Sequence, residues 1–322
     1  MRVLIVKLSS LGDVVHAMPV VHDLLAARPG VQIDWVVEPG FAPLVRRVEG
    51  VSEVIECALR RWSKSWWTRA TRSEWRGFRA RLQRERYDAV FDLQGLTKSA
   101  VIARLATLTN AGMSYGLANR TEGASHEPPA RWLVDRAIRI EPHTHALDRS
   151  RLLVARALGY ALQGAPVFGL RRAAHAATRT LVFVHGTSRD DKLWPEDHWI
   201  ALGRRVSAQG WRIALPHAGA LEFERAQRLQ AALGDAAEVW PSMSLDALVD
   251  RMGATQGVIG VDSGLSHIAV ALDLPHVQLY NFPTAWRTGP QAAHGHAHQV
   301  SVQAQPMPTV DEVWAAWLKV SA

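Results

Sequence analysis

The stretch Gly257-Val-Ile-Gly-Val-Asp-Ser-Gly-Leu-Ser-His267 sets a carboxylate, hydroxyls, a glycine and an imidazole between an apolar run and a second apolar run from Ile268 to Leu272. A strand that feeds a helix through such a turn aims backbone N–H groups at one point, and that point favours an anion. The N–H groups at Ser263 and Gly264, with His267 close by and Asp262 at the mouth of the turn, are therefore the candidate site for a ligand with an anionic group; capping of an ordinary helix by Asp262 or Ser263 uses the same residues. A second group follows the run Thr180–Val184, where Thr187 and Ser188 offer hydroxyls and Lys192 a fixed cation. That set suits a pyrophosphate, and it also suits a polar surface loop. Near the N-terminus, Ser9-Ser-Leu-Gly-Asp13 puts a carboxylate at the mouth of a predicted helix, with Gly12 permitting the tight turn. The three spaced glycines of a dinucleotide fingerprint are missing there, which argues against a nicotinamide oxidoreductase. Finally, Leu59–Arg86 carries ten basic residues against Glu74 and Glu85, with Trp62, Trp66, Trp67 and Trp75 interleaved. Such a segment grips nucleic acid, lies at a lipid interface, or is a solvated basic helix.

The elements that must position these groups follow from periodicity. Arg2–Leu8 reads as a strand buried on both faces. Val14, Met18, Val21 and Leu25 then recur at helical spacing despite Pro19. Val31–Glu38, Val51–Glu56, Tyr87–Leu93, Thr180–Val184, Trp211–Leu215, Gly257–Asp262 and Pro275–Tyr280 read as further strands, Val239 as the end of another, and the segments between them as helices. This alternation predicts an α/β fold with doubly wound parallel sheets. A chain of 322 residues is too long for one ordinary core and suggests two domains of about 150 residues each. The linker is expected within 161–179, which is rich in Gly, Pro and Ala. A hydrophobic content of 48% and a charged content of 21% are those of a globular protein. No apolar run approaches the roughly 18 residues of a spanning helix, and no signal-peptide pattern opens the chain. Cys57 is the only cysteine, so an intrachain disulfide is excluded and a cysteine metal site disfavoured. These features point to the cytoplasm. The net charge of +7 and a pI near 10.0 favour an anionic partner: nucleic acid, a membrane surface or a phosphorylated substrate. At the C-terminus, Thr309 and Glu312 make a capping box, and Val310, Val313, Trp314, Trp317 and Leu318 form an apolar helical stripe that must dock on something.

Six stretches, in order along nearly the whole chain, resemble the lipopolysaccharide heptosyltransferases, the ADP-heptose-dependent glycosyltransferase family 9. They are Val6-Lys-Leu-Ser-Ser-Leu-Gly-Asp13, Asp34-Trp-Val-Val-Glu38, Arg60-Arg-Trp62, Asp92-Leu-Gln-Gly-Leu-Thr-Lys-Ser99, Thr187-Ser-Arg-Asp-Asp-Lys-Leu-Trp-Pro195 and Val261-Asp-Ser-Gly-Leu-Ser-His267. The resemblance implies a GT-B type fold: two Rossmann-like doubly wound domains facing across a cleft. An acceptor-binding domain would span 1–165 and a donor-binding domain 178–305, with a C-terminal helix, 306–322, returning to the N-terminal domain. It implies ADP-L-glycero-β-D-manno-heptose as donor and Kdo2-lipid A as acceptor, with inverting transfer of the first core heptose at the cytoplasmic face of the inner membrane. Asp13 would be the base. Thr187, Ser188, Lys192 and the N–H groups at Ser263-Gly264 would stabilise the leaving ADP. Asp262 would hold the sugar hydroxyls, His267 the heptose or phosphate, Met243 the adenine and Glu222 the ribose. Ser10, Gly12, Arg60, Arg61, Lys64 and Arg120 would meet the acceptor. No Asp-x-Asp pair stands out, so no obligatory metal or other cofactor is expected.

Two departures accompany the resemblance. The family reads Tyr-Gly-Pro-Thr-Asp-Pro where this chain has Tyr280-Asn-Phe-Pro-Thr-Ala285, and Trp-Gly where it has His217-Ala218. The alternatives are a heptosyltransferase acting on another acceptor, such as the second core heptose or a protein, and a basic nucleic-acid-binding module. The Arg60-Arg-Trp62 match favours the first-heptose acceptor. A nucleic-acid module leaves the anion turn and the Lys192 loop without a use, so no nucleic-acid partner is expected.

Overall fold

The computed structural model describes residues 1–174, 178–295 and 297–321. The chain divides into two compact units, Met1–Arg171 and Arg172–Ala322. The division falls inside the expected linker, of which 175–177 lie outside the described residues.

The N-terminal unit is built on β1 (Arg2–Val6), β2 (Gln32–Val37), β3 (Val51–Glu56), β4 (Arg86–Asp92), β5 (Thr107–Leu117) and β6 (Arg136–Ile138). They form one sheet in the order β3-β2-β1-β4-β5-β6, parallel throughout. The C-terminal unit is built on β7 (Thr178–Val184), β8 (Arg212–Leu215), β9 (Ala237–Val239), β10 (Thr255–Val261), β11 (His276–Tyr280) and β12 (Gln299–Gln303). Their order is β12-β11-β10-β7-β8-β9, again parallel. Counted within its own unit, each sheet has the doubly wound order 3-2-1-4-5-6. Its topological switch point lies between the first and fourth strands, and ligands of such sheets bind there, outside the carboxyl ends. In these units that means the ends of β1 and β4, and the ends of β7 and β10.

The central strands read as unbroken apolar runs because helices cover both faces: Val3 to Val6 of β1 and Val258, Ile259 and Val261 of β10 are fully buried. Three strands, β5, β6 and β12, have no counterpart among those expected from sequence. The first mixes Thr, Asn, Gly and Ser, the second has only three residues, and the third alternates polar with apolar. Pro19 divides the predicted first helix into Leu11–Ala17 and Pro19–Ala27, taking the first position of the second, where its missing N–H leaves no partner wanting.

The resemblance implies a C-terminal helix returning to the N-terminal domain; the helix Val310–Val320 docks its apolar side within the C-terminal unit. Val313, Trp317 and Val320 enter the core formed by Leu181, Phe183, Trp199, Val261 and Leu279 of the C-terminal unit. The reason is local: Gly257 leaves the space that the Trp317 indole fills, a Cβ there would overlap the ring, and Trp211 meets the same indole edge-on at 5.7 Å. Among the described residues no helix is long and apolar enough to cross a membrane.

Candidate functional site

In the N-terminal unit the carboxylate turn stands at the switch point. β1 delivers the chain into Lys7–Ser10, and the helix Leu11–Ala17 starts with Ser10 as its cap. Gln94, just past β4, accepts from the N–H groups of Leu8 (3.1 Å) and Ser9 (3.2 Å), which ties the turn to the neighbouring strand. Asp13 accepts from the Ser10 N–H (3.2 Å) and the Ser10 hydroxyl (2.8 Å) through Oδ2. Its Oδ1 faces Lys7 Nζ at 3.6 Å and Arg149 Nη2 at 3.7 Å. Burial pushes the Asp13 carboxyl up, but Lys7, Arg149 and the Ser10 hydroxyl outweigh it and hold the group well below the usual carboxylate range. Lys7 is itself buried, donating to the Leu93 carbonyl at 3.1 Å, and desolvation draws its pKa down. Arg149 is fixed by a hydrogen bond to the Thr121 hydroxyl at 3.2 Å. Neither cation follows from local spacing with Asp13, and Arg149 comes from a distant helix, Ala146–Leu158.

In the C-terminal unit the two candidate stretches meet at the ends of β7 and β10. Lys192 Nζ donates to Asp262 Oδ2 at 2.6 Å, and the Thr187 hydroxyl donates to the Asp262 carbonyl at 3.1 Å. His267 Nε2 stands 3.4 Å from Asp262 Oδ1. Asp262 is buried; desolvation alone would raise its pKa, yet His267 and Lys192 hold it far below the usual range. Gln278, Tyr280 and Thr288 complete the surround: Gln278 Nε2 donates to the Tyr280 hydroxyl (2.9 Å), and Thr288 Oγ1 donates to Asp262 Oδ1 (3.3 Å). The helix Gly264–Ala271 begins here, with Ser263 extended before it. The Ser263 hydroxyl is buried without a hydrogen-bond partner among the described residues. A free hydroxyl beside the unpaired first N–H groups of a helix is the donor set an anion takes up. Ser188 is exposed. Glu222 lies against Gly186, where a Cβ would overlap its carboxylate, and accepts from the Ala218 N–H at 2.6 Å. Met243 is half-buried, ahead of the helix Leu245–Gly253.

The cationic candidates divide. Arg60 uses its backbone N–H on Glu38 (3.0 Å) and leaves its side chain exposed. Arg61 is engaged within its own hairpin, pairing with both oxygens of Glu74 at 3.0 and 2.6 Å. Lys64 is exposed in the last turn of the helix Leu59–Ser65, and Arg120, exposed beyond β5, donates to the Ala124 carbonyl at 3.3 Å. Gly12 lies in the first turn of the helix that carries Asp13. One residue with a positional role shows in the sequence only as a departure from the family motif. Asn281 is buried and donates from Nδ2 to the carbonyls of Asp191 (3.0 Å) and Leu193 (2.9 Å), the residues that bracket Lys192. It stands where the family motif quoted above has glycine, and only that difference marks it.

Two Rossmann-like doubly wound units in tandem are the fold of the GT-B glycosyltransferases. The chain belongs to glycosyltransferase family 9 (heptosyltransferase), whose profile matches residues 75–316. It is 42% identical over 287 residues to lipopolysaccharide heptosyltransferase 1 of Escherichia coli (strain K12), a match that covers 87% of this chain and 88% of that protein. The structure of E. coli heptosyltransferase WaaC with ADP is similar at a TM-score of 0.85 and 36% identity over 100% of both chains. The structure of the same enzyme with ADP-2-deoxy-2-fluoro heptose is similar at 0.82 and 37% identity over 98% of both.

Proposed function

We propose that this glycosyltransferase moves L-glycero-D-manno-heptose from ADP-L-glycero-β-D-manno-heptose onto the Kdo of Kdo2-lipid A, with inversion, as a peripheral protein of the cytoplasmic face of the inner membrane. The observation that carries the reading is the Lys192–Asp262–His267 cluster at the start of the Gly264–Ala271 helix. Family membership supports a nucleotide-heptose as the ligand it serves, and a relative of similar structure holds ADP-2-deoxy-2-fluoro heptose.

The chemistry follows from the groups at each turn. The attacking Kdo hydroxyl loses its proton as the new C–O bond forms at the anomeric carbon, and Asp13, ionised and facing solvent on one side, takes it. The bond to the diphosphate breaks on the opposite side of that carbon, which inverts it. The electron pair leaves with ADP. An ammonium has three donors, and Asp262 uses one of those of Lys192, so two remain for phosphate oxygens. The helix N–H groups and the Ser263 hydroxyl add to them without moving, which is how fixed dipoles stabilise a developing charge. Asp262 and His267 are left to hold heptose hydroxyls, with Glu222 on the ribose and Met243 on the adenine. Arg60, Lys64 and Arg120 meet acceptor carboxylates and phosphates, and Arg61 does so only on leaving Glu74.

The test is incubation of the purified protein with ADP-heptose and Kdo2-lipid A, read by mass, with and without EDTA. A gain of one heptose in both samples is the expected result. Tight ADP-heptose binding without transfer would overturn the acceptor, and absence of both would overturn the donor as well.

A further inference from the structure

We propose that the hairpin of the helices Leu59–Ser65 and Arg69–Leu82 is the surface by which this protein docks on an anionic lipid bilayer. The proposal rests on the reading above that the acceptor is a membrane glycolipid. Part of the hairpin is ordinary packing. Trp62, Trp75 and Phe78 pack against one another edge-on or tilted at 5.4–5.6 Å, and Glu74 ties Arg61 and the Trp62 indole together. What packing does not use is left at the tip and along one side. Trp66, which meets Trp75 edge-on at 5.5 Å but is still 49% exposed, and Trp67, 74% exposed, are adjacent in the connection between the helices. Arg69, Arg72, Arg76 and Arg79 recur at intervals of three and four, so they share one side of the second helix, and all four are exposed. None of the four has a carboxylate partner among the described residues, whereas Arg81 and Arg84 of the same region both pair with Glu53. A surface groove of ≈ 620 Å³ runs between Trp66, Arg69, Arg72, Trp75 and Arg76.

Unneutralised guanidinium groups beside that groove suit phosphate oxygens, which they bind in pairs. Indoles ahead of them suit the headgroup level of a bilayer, where an apolar body and a polar N–H are both satisfied. The distribution separates lipid from single-stranded nucleic acid. A strand-binding groove sets aromatics along its length, one for each stacked base. Here the two exposed indoles stand together at the tip, and Trp75, the aromatic within the arginine stripe, is half-buried and engaged edge-on by both Trp62 and Trp66, so it offers no free face for a base.

The test uses the full chain with vesicles of phosphatidylcholine, with and without phosphatidylglycerol. Its variants are R69S/R72S/R76S and W67S, each checked by circular dichroism and by transfer to a water-soluble, deacylated acceptor. The wild type is expected to bind the anionic vesicles, less so at high salt, and to leave the neutral ones. Each arginine near such a surface contributes roughly fivefold, so the triple variant is expected to bind about a hundredfold more weakly. W67S is expected to bind several-fold more weakly, and both variants to turn over the deacylated acceptor at the wild-type rate. Equal vesicle binding by wild type and triple variant would overturn the proposal. So would failure of the wild type to bind while it still transfers heptose, loss of soluble-acceptor turnover with the arginines, or tighter binding of a single-stranded oligonucleotide than of vesicles through them. Vesicle binding as expected, with no transfer to any acceptor, would leave the surface standing and remove the proposed reaction.

Discussion

To act as the proposed base Asp13 has to be ionised, and its surroundings see to that. Lys7 and Arg149 lie within 3.7 Å of one oxygen and Ser10 donates to the other. Asp13→Asn keeps the shape and removes the basic oxygen, so turnover should fall by roughly 10²–10⁴-fold while ADP affinity, measured by calorimetry, stays as it was; near-normal turnover would exclude Asp13 as the base. Because the folded pKa is depressed, the acidic limb of kcat/KM should lie below about pH 4. Lys7→Met removes the first of the opposing charges and should bring that limb up towards neutrality. A limb that stays put would mean that Lys7 does not tune the base. The same scale shows what sequence could not give. Lys192 and Asp262 were legible as site candidates because each sits in a local strand-to-helix pattern. Asn281 was not, since its two acceptors are carbonyls about ninety positions earlier in the chain. Asn281→Ala leaves both carbonyls unpaired and frees the turn that carries Lys192. The donor KM should rise roughly tenfold with kcat little changed, and the loss should be less than additive with Lys192→Ala, as for residues acting through one another. Full additivity in that double-mutant cycle would separate the two residues.

Between residue and fold, the ends of the strands decide what the turns can do. Asp92 closes β4 by accepting from the N–H groups of Gln94 (3.0 Å) and Gly95 (3.3 Å), and Gln94 in turn holds Leu8 and Ser9. Burial is complete there and pushes the Asp92 carboxyl up to about 6, against the pull of Ser99, the two N–H groups and Lys7. A folded pKa above the unfolded one means that the native state binds the extra proton. Stability from this group is therefore full below about pH 4 and lost as the pH rises through about 6, to the order of 3 kcal/mol. Asp92→Asn keeps an oxygen for both N–H groups and carries no charge. Its melting temperature should exceed that of the wild type at pH 7, and the gap should close by pH 4; a gap independent of pH would reject burial of the charge as its cause. At this scale the central strands were legible because burial on both faces leaves unbroken apolar runs. The strands β5, β6 and β12 were not, being polar, short or alternating. The stripe of the C-terminal helix was legible as a docking face, but not its partner. Partner choice depends on the gap beside Gly257, which exists only once β10 is in its sheet.

At the scale of the molecule, two sheets with the same strand order each enclose a core of their own. Leu4, Val6, Val36, Ile55, Phe78 and Val90 belong to one, and Phe183, Trp199, Leu215, Ile259 and Trp317 to the other. Length and alternating strands and helices made the two α/β units legible, since neither depends on a contact between distant residues. Two cores predict two unfolding events, and the chain carries a probe for one of them. Cys57 is the only cysteine, lies in the first core, and is fully buried, with its thiol pushed up to about 12 by burial, so it reacts only when that unit opens. Trp317→Ala removes a side chain that is 1% exposed and opens a cavity beside Gly257. Large-to-small changes of this kind cost about 3–5 kcal/mol. The C-terminal unit should then melt several degrees earlier by calorimetry, while the temperature at which Cys57 becomes labelled by a thiol reagent stays where it is in the wild type. If labelling of Cys57 moved down together with the calorimetric transition, the two cores would be unfolding as one, and their independence would have to be given up.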